Sequence, residues 1–190
     1  NESLDYLLIK ISDNGDFKDR KIVVAESLLK SVLTECNIEK YETLKRFKGI
    51  ELKGTICKHP FFNLGYEHDI PLLDARFVTI EQGTGIVHCA PSHGPDDFNL
   101  CLNNGIKAIE TVDADGKYTQ NVSLFEGTHI FKANPIVIEK LKEQNNLLFN
   151  GDLVHSYPHS WRSKAPLVHR ATPQWFISME SHKLRDKALK

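Results

Sequence analysis

The chain has 190 residues, of which 41% are hydrophobic and 26% are charged, as is typical of one globular domain with a hydrophobic core. The formal net charge of -1 argues against a polybasic coat for nucleic acid, and no apolar run is long enough to span a membrane. Its four cysteines have neither CxxC nor zinc-finger spacing, which indicates reduced thiols in a cytoplasmic protein.

Short strands dominate the prediction for the first half of the chain. Residues 5–11 and 21–25 are predicted to pair as a hairpin-like unit, and residues 25–33 have the apolar spacing of a short helix. Residues 41–47 fit a helix or a strand, and the alternation that follows favours extended chain. Further short apolar runs occur at residues 56–58, 61–62, 70–73 and 77–80. Many short strands with close turns suggest a barrel-like or multi-sheet β core.

Residues 83–98 form the most informative stretch. A Gly-Thr-Gly turn leads into a short apolar run, residues 86–87, which predicts a strand that ends at His88. After a tight loop, Pro95 is predicted to begin a helix with Asp97 in its first turn, where a carboxylate is stabilised by the positive helix end. This strand–loop–helix arrangement would bring the His88 imidazole and the Asp97 carboxylate to the opening of one pocket.

Fewer elements are clear in the second half. A strand is predicted at residues 108–112 and a turn at residues 113–116. The clearest helix spans residues 134–147, with Asn134 as its cap and Pro135 as its first residue. Two later strands and a basic helix are predicted at residues 166–169, 174–177 and 181–190.

Three stretches resemble the editing domain of isoleucyl-tRNA synthetases, the insertion called connective peptide 1. They are GTGIVHCAPSHGPDDF at residues 83–98, YPHSWRSKAPLVHRATPQWFISM at residues 157–179 and FKGIELKGTICKHPF at residues 47–61. The stretches follow the family's order, and the residues at His88 and Gly94 resemble the isoleucyl branch more than the valyl or leucyl one.

The resemblance implies an α+β fold, mainly β, with a barrel-like multi-stranded core and peripheral helices, as in valyl, isoleucyl and leucyl editing domains. Residues 1–190 would be a single editing domain fragment, cut from a longer polypeptide at both ends. Residues 151–190 would return towards the catalytic core of that polypeptide, which would ligate isoleucine to tRNA with ATP and Mg²⁺ in a separate domain.

The resemblance also implies roles for individual residues. In the family, the aspartate that matches Asp97 holds the ammonium group of an aminoacyl ester, and the histidine that matches His88 limits the size of the side chain. These two residues are the predicted catalytic pair. The further candidates for substrate binding are Thr84, Gly85, His93 and Asp96. From the residues alone, each also has a structural interpretation as a helix-end carboxylate, a hydrogen-bonded imidazole or a turn residue.

The chemistry predicted for this site is hydrolysis of mischarged valyl-tRNA(Ile) by direct attack of water. The sequence contains no Gly-x-Ser-x-Gly nucleophile motif, and Ser92 beside His93 is only sequence adjacency. Positioning of the ester and the water would then make the main contribution. Because His88 and Cys89 would point to opposite faces of a strand, neither a metal site nor another cofactor is predicted in this domain.

The C-terminal segment is the candidate nucleic-acid surface. Residues 151–190 carry seven lysines and arginines against three acids, an excess of four positive charges. The residues predicted to contact the tRNA(Ile) 3′ end are Trp161, Arg162, Lys164 and Arg170. An ordinary charged surface with two core tryptophans is the alternative interpretation. The family's threonine-rich segment, one wall of its editing pocket, does not occur in these residues, so a non-catalytic tRNA 3′-end binding module is the alternative function.

Overall fold

A three-stranded antiparallel sheet in the order β2-β1-β3 forms the first part of the chain. The computed structural model describes residues 1–13 and 15–190. Its first strands are β1 (Asp5–Ile11), β2 (Lys21–Ala25) and β3 (Tyr41–Lys48). The predicted pairing of the first two strands and the extended chain after residue 41 are both confirmed. The central strand β1 buries apolar side chains, with Ile9 and Ile11 fully inaccessible to solvent.

The hydrophobic core lies where the sheet meets a short helix. Helix α1 (Leu29–Glu35) follows a 3₁₀ turn (Glu26–Leu28), so the helix predicted at residues 25–33 is confirmed with a small shift. Leu28 and Val32 are four residues apart and therefore share one helical face. The buried residues of the cluster are Tyr6, Val24, Ala25, Leu28, Val32 and Phe47.

A second sheet is much smaller, and the predicted barrel-like core is not confirmed. Strands β4 (Ile56–Lys58) and β5 (Asp69–Pro71) form an antiparallel pair. Residues 61–62 enter a 3₁₀ turn instead of a strand, and residues 77–80 and 108–112 form no strand. Both sheets of the described residues are open, because the intervening apolar runs find no neighbouring strand to complete a ladder.

Three further helices follow, and the second of them begins earlier than predicted. Helix α2 (Pro95–Asn103) begins at Pro95 as predicted, whereas α3 (Ile130–Glu143) begins four residues before Asn134. The cap of α3 is His129, whose Nδ1 accepts a hydrogen bond from the Phe131 N–H. Pro135 therefore lies inside the helix. The last helix is α4 (Leu184–Ala188).

Apart from α4, the C-terminal segment is largely irregular and exposed. The strands predicted at residues 166–169 and 174–177 do not form; a single bridge joins His159 to Pro166. The Trp175 side chain is fully exposed. Within residues 1–13 and 15–190, no helix combines the length and the apolar character that crossing a membrane requires.

Candidate functional site

The Gly-Thr-Gly turn is fixed to the end of the three-stranded sheet. The Ala25 N–H donates to the Thr84 carbonyl at 2.8 Å, and the buried Tyr6 hydroxyl donates to the Gly85 carbonyl at 2.8 Å. Gly85 has a φ of +78°, and a Cβ atom there would lie 2.5 Å from the Cβ of Ala25. Only glycine therefore allows the turn to approach the sheet this closely.

Replacing Gly85 by alanine is expected to lower the free energy of unfolding by about 3 kcal/mol, because left-handed backbone strain adds to overpacking against Ala25. Urea denaturation measures this loss. Gly83 is the matched control, since it also has a φ of +78° but an added Cβ would meet nothing within 4 Å. Gly83→Ala should cost only about 1 kcal/mol, and equal losses at the two positions would contradict the close approach.

The strand predicted at residues 86–87 is wrong, and His88 therefore does not lie at a strand end. Residues 86–90 are irregular, and both Ile86 and Val87 are exposed. The Thr84 hydroxyl donates to the Ile86 carbonyl at 3.0 Å, so it stabilises the local turn. A strand forms only where a neighbour pairs with its backbone, and the described residues place no such neighbour here.

Asp97 holds the loop before helix α2. Its Oδ2 accepts a hydrogen bond from the Ala90 N–H at 2.8 Å, and Gly94 is the helix cap. Asp97 is half-buried, whereas Asp96, one position earlier in the same turn, is exposed. Successive helical residues point about 100° apart, so only one of the two carboxylates can face the loop. The two predicted catalytic residues are thus connected through the backbone, since Ala90 comes two residues after His88.

Two cysteines lie close to the Asp97 carboxylate. Burial raises the pKa of both Cys89 and Cys101, and the negative charge of Asp97 raises each further. Both thiols are therefore protonated at neutral pH, a form that is a poor nucleophile and a poor metal ligand. Over residues 1–13 and 15–190, no three His, Cys, Asp or Glu side chains are arranged to hold a metal ion.

The charge of His88 acts on a different part of the site, the imidazole of His59. The His59 ring stacks on Tyr66 with centroids 4.7 Å apart and lies 5.7 Å from the His68 ring. Burial lowers the pKa of His59, and the charges of His68 and His88 lower it further. His59 is therefore uncharged at neutral pH. Sequence reasoning missed this imidazole cluster, although His59 lies within one of the stretches that carry the family resemblance.

His93 connects distant parts of the chain. Its Nδ1 lies 2.9 Å from the His169 carbonyl oxygen, and its Nε2 lies 2.7 Å from Thr111 Oγ1. A carbonyl oxygen only accepts, so Nδ1 carries the hydrogen, and in the neutral ring Nε2 accepts from the Thr111 hydroxyl. Both nitrogens thus bind protein groups, an arrangement that fits a structural role.

Ser92 has a similar structural position in the same loop. Its side chain is buried, and its hydroxyl donates to the Ile109 carbonyl. Its own carbonyl accepts from the Ala171 N–H at 2.9 Å. Ser92 and His93 together therefore tie the loop to residues 109–111 and 169–171.

The candidate tRNA-binding residues differ in the solvent exposure of their side chains and in the groups that these side chains contact. Trp161 is 76% exposed, and the Arg162 guanidinium lies over its ring at 4.7 Å from the centroid. Lys164 is also exposed. Arg170 instead forms an ion pair with Glu110 at 3.1 Å. The alternative of two core tryptophans is wrong, because the C-terminal segment leaves both of them exposed.

Comparison with known proteins identifies a family whose model covers helix α2 and the loop before it. Residues 16–147 match the family model described as leucyl-tRNA synthetase, editing domain. The whole chain is 77% identical over 190 residues to the isoleucine–tRNA ligase of Pelagibacter ubique (strain HTCC1062), covering 21% of that protein. Over 186 residues, 98% of the chain, it is 46% identical to the isoleucine–tRNA ligase of Hahella chejuensis (strain KCTC 2396), covering 19% of it.

The family match covers most of the chain, and this coverage is sufficient to assign the family. The chain spans about a fifth of the length of the curated relatives it matches. The matched range covers well over half of the chain and includes β2 to α3, with the loop that carries His88 and Asp97. The chain therefore belongs to the family of leucyl-tRNA synthetase editing domains.

Proposed function

We propose that this chain is the post-transfer editing domain of a cytoplasmic isoleucyl-tRNA synthetase and hydrolyses the ester of mischarged valyl-tRNA(Ile). The observation that carries the proposal is the match of residues 16–147 to an editing-domain family, supported by identity to isoleucine–tRNA ligases over the full chain. The longer polypeptide would ligate isoleucine to tRNA with ATP and Mg²⁺, and residues 151–190 would return towards its catalytic core. The partners would be the tRNA(Ile) 3′ end carrying valine and the rest of that polypeptide.

A synthetase needs such a domain because one methylene gives little discrimination. A pocket that binds isoleucine rejects valine by only about 1–3 kcal/mol, a limit for which isoleucyl-tRNA synthetase is itself the standard example. A second pocket that admits valine and excludes isoleucine removes the error after transfer to tRNA. The proposed substrate is therefore the smaller aminoacyl ester.

In the proposed reaction, Asp97 binds the α-ammonium of the aminoacyl ester and His88 contacts its side chain. The Asp97 carboxylate is fixed by the Ala90 N–H at 2.8 Å, which supports a preorganised cation site beside the loop. Water attacks the ester carbonyl directly, the bond to the ribose oxygen breaks, and valine and tRNA leave. Holding the ester in place supplies the main contribution to the rate.

A deacylation assay tests the proposal. Valyl-tRNA(Ile) and isoleucyl-tRNA(Ile), each with a labelled amino acid, are incubated with this chain alone and with the full-length polypeptide that contains it. Release of valine but not isoleucine is the expected result. Binding of tRNA without release of valine by the full-length polypeptide would favour a non-catalytic tRNA 3′-end binding module, for which the exposed Trp161 and Arg162 provide a suitable surface.

Replacing Ser92 by alanine is expected to leave the deacylation rate per folded molecule within about twofold, because its hydroxyl binds the Ile109 carbonyl and not the substrate. The unpaired carbonyl should lower the free energy of unfolding by about 1–2 kcal/mol. The assay is therefore run below the unfolding transition, with the folded fraction measured by circular dichroism. A folded Ser92→Ala protein without activity would contradict direct attack by water.

A further inference from the structure

The loop before helix α2 is connected to the Asp97 carboxylate through the backbone of Ala90. The Ala90 N–H donates to Asp97 Oδ2 at 2.8 Å. The Ala90 carbonyl accepts from the His93 N–H at 2.9 Å. Both backbone groups of Ala90 are therefore bound, one to Asp97 and the other to His93. The position of the carboxylate in the loop thus depends on how firmly His93 is held.

His93 is held by a part of the chain that is distant in sequence. Its Nδ1 donates to the His169 carbonyl, with the nitrogen 2.9 Å from the oxygen. Two residues after His169, the Ala171 N–H donates to the Ser92 carbonyl at 2.9 Å. Residues 169–171 therefore hold the loop at two adjacent residues, Ser92 and His93.

The same three residues attach the C-terminal segment to the earlier part of the chain. Residues 151–190 are mostly exposed. Within the described part of the chain, their hydrogen bonds to earlier residues all come from residues 169–171. The third of these contacts is the ion pair between Arg170 and Glu110 at 3.1 Å. The C-terminal segment is thus attached beside the loop that fixes Asp97.

We propose that His93 is a positioning residue for Asp97, through which residues 169–171 fix the carboxylate that binds the substrate ammonium. The inference rests on the proposed function, because it assigns His93 a role in the same reaction. An imidazole suits this role, since both nitrogens of its rigid ring are bound; in the neutral ring, Nε2 accepts from the Thr111 hydroxyl at 2.7 Å. A misplacement of about 1 Å can lower the rate of a reaction by about 100-fold, so the loop has to be held firmly.

A double-mutant cycle on the deacylation of valyl-tRNA(Ile) by the full-length polypeptide tests the proposal. His93→Ala should lower kcat/KM by about tenfold in the unaltered polypeptide. In the Asp97→Asn background it should cost less than about twofold, because the charge that His93 positions is already lost. A histidine that only stabilised the fold, or that bound the substrate independently of Asp97, would cost the same factor in both backgrounds. Equal factors would therefore overturn the proposal.

Two conservative replacements separate the two contacts of the imidazole. The asparagine amide nitrogen lies close to the position of Nδ1 and can donate to the His169 carbonyl, whereas the glutamine amide reaches the position of Nε2 and contacts Thr111. His93→Asn should therefore restore kcat/KM to within about threefold of the unaltered value, and His93→Gln should be about as slow as His93→Ala. Rescue by glutamine and not by asparagine would contradict a role of residues 169–171.

Ser92→Ala is the matched control in the same loop. It removes the hydrogen bond from the Ser92 hydroxyl to the Ile109 carbonyl but keeps the Ser92 carbonyl that binds Ala171. Its kcat/KM per folded molecule should stay within about twofold, because residues 169–171 still hold the loop. A loss as large as that in His93→Ala would overturn the proposal, since any loosening of the loop would then have the same effect.

Amide hydrogen exchange separates failure of this inference from failure of the proposed function. The Ala90 N–H, which binds Asp97, should exchange about tenfold faster in His93→Ala than in the unaltered polypeptide. The Phe98 N–H, which binds the Gly94 carbonyl in helix α2, should be unchanged. Faster exchange of Ala90 without any release of valine, even by the unaltered polypeptide, would refute the deacylase function and leave the positioning of Asp97 supported. Unchanged exchange of Ala90 in a polypeptide that releases valine would refute the positioning alone.

Discussion

Replacing Asp97 by asparagine is expected to slow the hydrolysis of valyl-tRNA(Ile) by about 100-fold. Asparagine retains an oxygen that can accept the Ala90 N–H, now held at 2.8 Å, so the loop keeps its position. The negative charge is lost, and the substrate ammonium then has no counterion in a half-buried site. Leaving one member of such a pair without its partner costs about 2–5 kcal/mol, and each 1.36 kcal/mol corresponds to tenfold in rate.

Asp96→Asn is the matched control for this prediction. It removes the same charge from the same helical turn, so both variants lose the same favourable interaction with the helix end, about 0.3–1 kcal/mol. Because Asp96 is exposed, its replacement should leave the rate within about threefold. Single-turnover rates at subsaturating enzyme are proportional to kcat/KM, so they include the lost contact whether it acts in binding or in the chemical step. If the two variants were equally slow, or if Asp97→Asn were as fast as the unaltered chain, Asp97 would not be the ammonium ligand.

Elements specified by local patterns were predictable from the sequence. Two short apolar runs at residues 5–11 and 21–25 predicted the β1–β2 pair, which contributes buried side chains to the core. Pro95 with two following carboxylates predicted the start of α2, because each of these residues is favoured there by its own backbone or charge. The start of α3 was not predictable in this way, since His129 caps it instead of the more common cap residue Asn134.

Strands that depend on a distant partner could not be predicted reliably. Residues 86–87 and 174–177 are as apolar as residues in β1, but a run of apolar residues does not specify what pairs with it. For the same reason, the apolar runs could not show whether their strands close into the predicted barrel-like core. In the described residues, the predicted strand–loop–helix arrangement therefore contains the loop and helix α2 but lacks a strand before His88.

The contacts that organise the candidate site are also long-range. His93 reaches the carbonyl of His169, which lies 76 residues later, and Tyr6 reaches the carbonyl of Gly85, 79 residues later. No local periodicity predicts such pairs. The family resemblance selected His88 and Asp97, but it did not predict that the charge of His88 lowers the pKa of His59 or that the charge of Asp97 raises the pKa of two thiols.

Replacing His88 by alanine is expected to make isoleucyl-tRNA(Ile) a substrate. If the imidazole limits the size of the side chain, its removal creates room for the additional methylene, which is worth about 1–3 kcal/mol. The ratio of kcat/KM for isoleucyl-tRNA(Ile) to that for valyl-tRNA(Ile) should therefore rise by about 10- to 100-fold. Deacylation of the two labelled esters under identical conditions measures this ratio.

His68→Ala is the matched control, because His68 is an exposed imidazole of the same cluster, 5.7 Å from the His59 ring. Either replacement removes one positive charge that lowers the pKa of His59. A purely electrostatic role of the cluster would thus shift the pH profile similarly in both variants and leave the ratio of the two substrates unchanged. A size limit set by His88 would change that ratio in His88→Ala alone. Unchanged selectivity in His88→Ala would refute the size limit, because the imidazole would then make no differential contact with the two esters.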